Sequence, residues 1–163
     1  MKKTCLTLIT VFMVLSMLSI AAHAGPPTTA EGLWQYKPTI VDVRVAGGNT
    51  FLSTTEEGIW TGTFEGDSTE DGTVVIHSLG FWSFNAIVSF QGEVNGKSGT
   101  LEMSVVGSRP DVFADWQGKW VILSGTGDLA TLHGQGTWWG PGSLGEGHWG
   151  DIYYSGNIHF DPE

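Results

Sequence analysis

The sequence predicts an all-β protein: one antiparallel β-barrel of about eight strands, preceded by a signal-peptide helix. Three observations lead there. Glycine (24 residues) and tryptophan (8 residues) are abundant in a chain of 163. No stretch beyond Gly25 keeps a 3.6-residue apolar period for three turns. Short runs of Val, Ile, Phe, Trp and Thr recur between glycine pairs and acidic clusters, the pattern of a sandwich or a barrel.

The chain opens on Met1-Lys2-Lys3, a short positive start. An apolar run from Leu6 to Ile20 follows, then Ala22-His23-Ala24 before Gly25. Positive start, apolar core and A-x-A site are what a signal peptidase reads, and cleavage is expected after Ala24. The run is shorter than the roughly 20 residues a bilayer-spanning helix needs. Cys5 precedes it, so a lipidated cysteine at the mature start is not expected. The expected division is a signal peptide at 1–24, a Pro-rich leader at 25–32, and a barrel domain at 33–163. Export would place the protein in the periplasm or outside the cell, with no membrane span after cleavage.

Cleavage removes the single cysteine and two of seven bases, and takes the formal charge from -10 to -12. The mature chain therefore folds without disulfides. Its bases, Lys37, Arg44, Lys97, Arg109 and Lys119, do not cluster. Such a chain repels phosphate backbones, so no nucleic-acid partner is expected.

Along the domain, Leu33–Val45 reads as a strand interrupted near Pro38, and Ala46–Asn49 as a turn. Phe51–Thr55 and Ile59–Glu65 read as strands, Asp67–Gly72 as an acidic turn, and Thr73–Leu79 as a strand. Phe81–Val94 is one long strand or two with a kink. Ala86, Val88, Phe90 and Val94 share one face, and Ile87, Ser89, Gln91 and Glu93 the other, as in a half-buried sheet. Asn95-Gly96 fits a type I′ hairpin. Across it, Leu101, Met103 and Val105 alternate with Thr100, Glu102 and Ser104 within Ser98–Val106. Arg109–Asp115 is a loop, because Pro110 excludes a central strand. Gln117–Leu123 and Gly134–Trp139 are strands flanking a short segment, Asp128–His133. Pro141–Gly147 is a glycine-rich loop, and Trp149–Phe160 closes the domain. A closed barrel hides the strand edges; a two-sheet sandwich is the runner-up.

The hairpin Phe90–Thr100 and the later run Gly125-Thr126-Gly127-Asp128-Leu129-Ala130-Thr131-Leu132-His133-Gly134-Gln135-Gly136 form a G-T-G-x-L-x-x-L-x-G-x-G pattern. Together with Trp60–Asp67 upstream, this resembles a bacterial family of unknown function grouped with the allene oxide cyclase-like barrels, whose plant relatives include the dirigent proteins. The resemblance spans Trp60–Trp139. It implies an antiparallel barrel with an inner cavity. The plant proteins steer reactive intermediates inside an apolar cavity, but no catalytic position of theirs matches this sequence residue by residue.

Physically, Gly125 and Gly127 are expected to supply positive φ at a turn, and Gly134 and Gly136 to leave room for a tryptophan or a neighbouring backbone. Asp128–His133 is too short for the helix of a nucleotide-binding unit. Asp67-x-Thr69-x-Asp71-Gly72 has the opening spacing of a calcium loop, but Ser78 stands where the closing Glu belongs. His77, His133, His148 and His159 show no metal-ligand spacing, so no metal and no cofactor are expected. His77, in the apolar run Val74–Ser78, with Glu65 across the acidic turn, is the one acid–base couple worth testing. There is no G-x-S-x-G elbow.

Three functional classes follow. The first is a binder of a small apolar or amphipathic molecule, with Trp60 and Trp120 as candidate contacts. The second is a cofactor-independent isomerase or cyclase using His77 and Glu65. The third is a glycan or envelope interaction module using Trp138, Trp139 and Trp149 as an aromatic platform. Trp138 and Trp139 are adjacent, so on a strand they face opposite ways.

Overall fold

The computed structural model describes residues 25–162; residues 1–24, where the sequence predicts a signal peptide, lie outside the described residues. The eight strands are β1 (Thr28–Ala46), β2 (Asn49–Gly62), β3 (Phe64–Ile76), β4 (Trp82–Val94), β5 (Lys97–Arg109), β6 (Trp116–Gly127), β7 (Leu132–Gly142) and β8 (Gly150–Phe160). Each pairs antiparallel with its neighbour in sequence, and β1 pairs with β8, closing the ring. The expected all-β barrel of eight strands is the observed one.

Alternation sets the inside. Ala86, Val88, Phe90 and Val94 of β4 point inward and are buried, as do Leu101, Met103 and Val105 of β5. Asn95 (φ 53°) and Gly96 (φ 77°) form the expected left-handed two-residue turn between them.

Several boundaries differ from the sequence reading, each for a physical reason. Asp67–Gly72 is not a turn; it is the middle of β3, paired with β2 and β4 on both sides. Its acidic character hides a period of two, in which Ser68 and Glu70 point inward and Asp67, Thr69 and Asp71 outward. The hairpin turn lies instead at Thr63, so Phe51–Thr55 and Ile59–Gly62 belong to one strand. Pro38 does not break β1. Beyond Tyr36, β1 no longer pairs with β8, so Pro38 sits on a free edge where no ladder donor is required. The carbonyl of Pro38 accepts from Gly147 N (2.8 Å) in the β7–β8 loop, and a bulge follows between Ile40 and Asp42. Gly127 has positive φ (62°), whereas Gly125 does not; its role is close approach, with the Leu129 carbonyl where a Cβ would stand.

The barrel is filled at one end and open at the other. At the closed end, Trp60, Phe64, Phe90, Trp120 and Tyr154 pack edge to face or tilted, with centroids 5.3–6.2 Å apart. Gly136 makes room for Trp120, as expected: a Cβ there would meet the indole at 2.6 Å. Tyr154 Oη ties this floor together. It accepts from Phe64 N (3.0 Å) and donates to the Thr61 carbonyl (3.2 Å). Both described chain ends lie at this end, where Gly25 N donates to Phe160 O (3.1 Å).

Candidate functional site

The open end is where the fold makes a site. The β1–β2 and β3–β4 connections and the β5–β6 and β7–β8 loops surround a mouth leading to a cavity of about 500 Å³. Its walls are aromatic: Trp34 and Tyr36 from β1, Trp82 and Phe84 from β4, Trp116 from β6 and Trp138 from β7. These positions follow from strand period. Trp34 and Tyr36 are two apart, as are Trp82 and Phe84, so each pair faces the same way. Trp34 stacks on Trp60 (5.1 Å, interplanar 8°), which separates the cavity from the packed floor. Trp138 meets Trp34 and Phe84 edge-on at 6.3 and 6.4 Å and anchors its indole N–H on the Lys119 carbonyl (3.1 Å).

Polar groups are few and converge. Glu56 of β2 lines the cavity yet is only 5% exposed. Thr54 Oγ1 donates to its Oε1 (3.1 Å), and its Oε2 has no partner. Directly opposite, in register on β3, is Glu70, 2% exposed, with neither carboxylate oxygen in a hydrogen bond. Burial pushes the Glu56 carboxyl up to about 7. Glu70 rises well above the carboxylate range, first because it is buried and second because Glu56 stands beside it. The Trp34 indole N–H and the Ser68 hydroxyl lie near Glu70 and offset part of that rise, although neither bonds to it with good geometry. All three crowd Gly58, where a Cβ would lie 2.9 Å from Trp34 Nε1 and 3.3 Å from Glu70 Oε1. Two facing carboxyls in a dry wall share protons rather than both ionise.

Two further groups complete the site. The Tyr36 hydroxyl accepts from Ser143 N (3.0 Å), and burial pushes its pKa up to about 12. Arg109, at the end of β5, lies over the faces of Trp82 (4.0 Å) and Trp116 (4.7 Å) and reaches the Val112 carbonyl (3.3 Å). Desolvation lowers its pKa.

The residues expected from sequence fall in different places. His77 sits at the β3–β4 connection, stacked on Phe81 (3.8 Å) with Nε2 2.9 Å from Ser83 Oγ. Glu65 is exposed at the opposite end of β3, opposite Glu93 in register. Roughly 40 Å of strand separates them, so the structure does not bring this couple together. The cause is the strand where a turn was expected. Trp60 and Trp120 are core residues below the cavity, and Trp138 is part of its wall. Trp139 faces outward at 46% exposure and stacks on Tyr153 (6.1 Å). Trp149 is half-exposed under Lys37 (5.3 Å). With Trp138 turned inward, the three do not form one platform.

Sequence reasoning passed over Glu56, Glu70, Tyr36 and Arg109. The available signal was parity: Glu56 lies four residues from Trp60, and Glu70 six from Phe64, on faces those aromatics send inward.

Residues 34–139 match the model of a family described as a protein of unknown function, DUF3224. No curated protein matches the chain. A solved structure of a protein of unknown function from the DUF3224 family of Shewanella oneidensis MR-1 is similar over 85% of this chain and 100% of that one. Its TM-score is 0.68 at 19% identity, a likeness of fold.

Proposed function

The chain belongs to the DUF3224 family of unknown function, and from that premise we propose that it is an exported carrier of a small apolar or amphipathic molecule, held in the open half of a barrel of the allene oxide cyclase-like kind. The observation that supports this reading is the half-filled interior. A barrel of this size ordinarily packs its centre with side chains or holds one small ligand. Here the closed end is packed, while the mouth leaves about 500 Å³ between aromatic walls, within the usual range of small-molecule sites. Export rests on the Lys2-Lys3 start, the apolar run and the Ala22-His23-Ala24 site.

Fluorescence titration with N-phenyl-1-naphthylamine, a neutral apolar dye, tests the reading. The mature protein is expected to bind it, and Leu52→Trp, which fills the cavity from β2, to abolish binding without lowering the melting temperature. Dye binding that survives Leu52→Trp would refute the carrier.

A second reading, an isomerase or cyclase without cofactor, is favoured by one observation: the facing carboxyls of Glu56 and Glu70 in an aromatic wall. Such a pair can hold a proton near neutrality for donation to a bound substrate. The His77 and Glu65 couple offers this reading nothing, since the two are far apart.

A further inference from the structure

We infer that the cavity is built for an organic cation: an ammonium ion on an apolar body, seated with its charge against Glu56. This deepens the carrier reading and rests on it. Three features point the same way.

The first is the inventory of unmet polar atoms. Glu56, which lines the cavity, has Oε2 without a partner, and so do both oxygens of Glu70 behind it. Glu56 Oε2 is an acceptor when ionised, and a buried acceptor without a donor is costly. A ligand ammonium supplies the missing positive charge at that position; a neutral or anionic ligand does not.

The second is the aromatic wall. Trp34, Tyr36, Phe84 and Trp138 surround the space beside Glu56. Rings around a carboxylate are the chemistry that recognises alkylammonium groups, through the negative ring faces. The protein already uses its own rings this way, since Arg109 lies over Trp82 and Trp116.

The third is charge balance. Three carboxyls line the cavity and its mouth, Glu56, Asp115 and Glu146, with Glu70 behind, against the single base Arg109. That guanidinium is committed to two indoles and the Val112 carbonyl, with Asp111 near it. It is a poor anchor for an anion, and the acidic surface favours approach of a cation.

The cation competes with the proton on Glu56. The groups facing Glu56 are Glu70 from β3, Tyr36 from β1 and Arg109 across the cavity, with Asp115 and Glu146 at the mouth. Burial holds Tyr36 neutral, its pKa pushed up to about 12, and Glu70 is raised by burial and by Glu56 beside it. Affinity for a permanent cation therefore rises with pH through about 7.

The experiment is displacement of N-phenyl-1-naphthylamine by three ligands with one tail: decyltrimethylammonium, decanol and decanoate. The trimethylammonium group does not titrate, so any pH dependence belongs to the protein. Decyltrimethylammonium is expected to bind about tenfold tighter than decanol at pH 8, and to lose about tenfold between pH 8 and pH 6 while decanol does not change. Glu56→Gln is expected to erase both effects while leaving decanol binding intact, which also reports that the variant is folded. If decanol displaces the dye but the cation binds no better, or if decanoate binds best, the inference falls and the carrier stands. If none of the three displaces the dye, the inference falls, and the carrier is decided by the Leu52→Trp titration.

Discussion

Glu56→Gln also makes a prediction that needs no ligand. The residue faces Glu70 inside the barrel, and its carboxyl is raised from 4.5 to about 7 by burial. A carboxyl whose folded pKa lies above its unfolded value contributes stability that is complete below pH 4.5 and is lost as pH rises through 7. At about 1.4 kcal/mol for each pH unit, that window removes about 3 kcal/mol from the native protein. Glu70 is shifted in the same direction and adds to the loss. The amide in Glu56→Gln keeps the volume, does not titrate, and relieves Glu70 of its charged neighbour. Urea unfolding followed by tryptophan fluorescence at several pH values between 4.5 and 8 measures this directly. The native protein should lose about 3 kcal/mol more than Glu56→Gln across that range, and the variant should be the more stable of the two at pH 8. General repulsion in an acidic chain acts on both proteins and cancels in the difference. Parallel curves for the two proteins would refute the facing-carboxyl argument.

Two other perturbations have clear outcomes. Tyr154→Phe removes the acceptor of the buried Phe64 N–H, which should cost about 1–3 kcal/mol; an unchanged melting temperature would show that this hydrogen bond does not hold the floor. His77→Ala touches only Phe81 and Ser83 at the β3–β4 connection, so dye affinity should stay within about twofold of the native value, and a larger loss would mean that this connection closes over the mouth.

Much of the barrel could be read directly from the chain, because its filled half obeys the simplest rule. Ala86, Val88 and Phe90 alternate with polar residues, and Asn95-Gly96 fixes the register of β4 on β5. The open half disobeys that rule. Some inward positions of β3 are polar, Ser68 accepting from the floor's Trp60 Nε1 (2.9 Å) and Glu70 buried opposite Glu56, so Ser68 and Glu70 made an interior strand look like an acidic turn. That misreading also separated Glu56 from Glu70. Each lies seven residues from Thr63, and only a turn placed there sets them opposite. Arg109 looked like a lone surface base, because nothing in the sequence says that Trp82 and Trp116 converge on it. Adjacent Trp138 and Trp139 do face opposite ways, as expected; the structure turns Trp138 inward and Trp139 outward, which separates the expected platform.

The closure of β1 on β8 bears on how the ring is assembled. Seven of the eight seams join strands adjacent in sequence and can zip from local hairpins. The eighth aligns Thr28 with Ile158, so it pays nearly the whole loop-closure entropy of the domain and should form last. Since Gly25 N touches Phe160 O, a short linker across that point with new termini cut at Asn95-Gly96 would make the β1–β8 seam local and pass the non-local closure to β4–β5. Such a circular permutant should fold last at β4–β5 instead of β1–β8, and leave the mouth, at the opposite end, untouched.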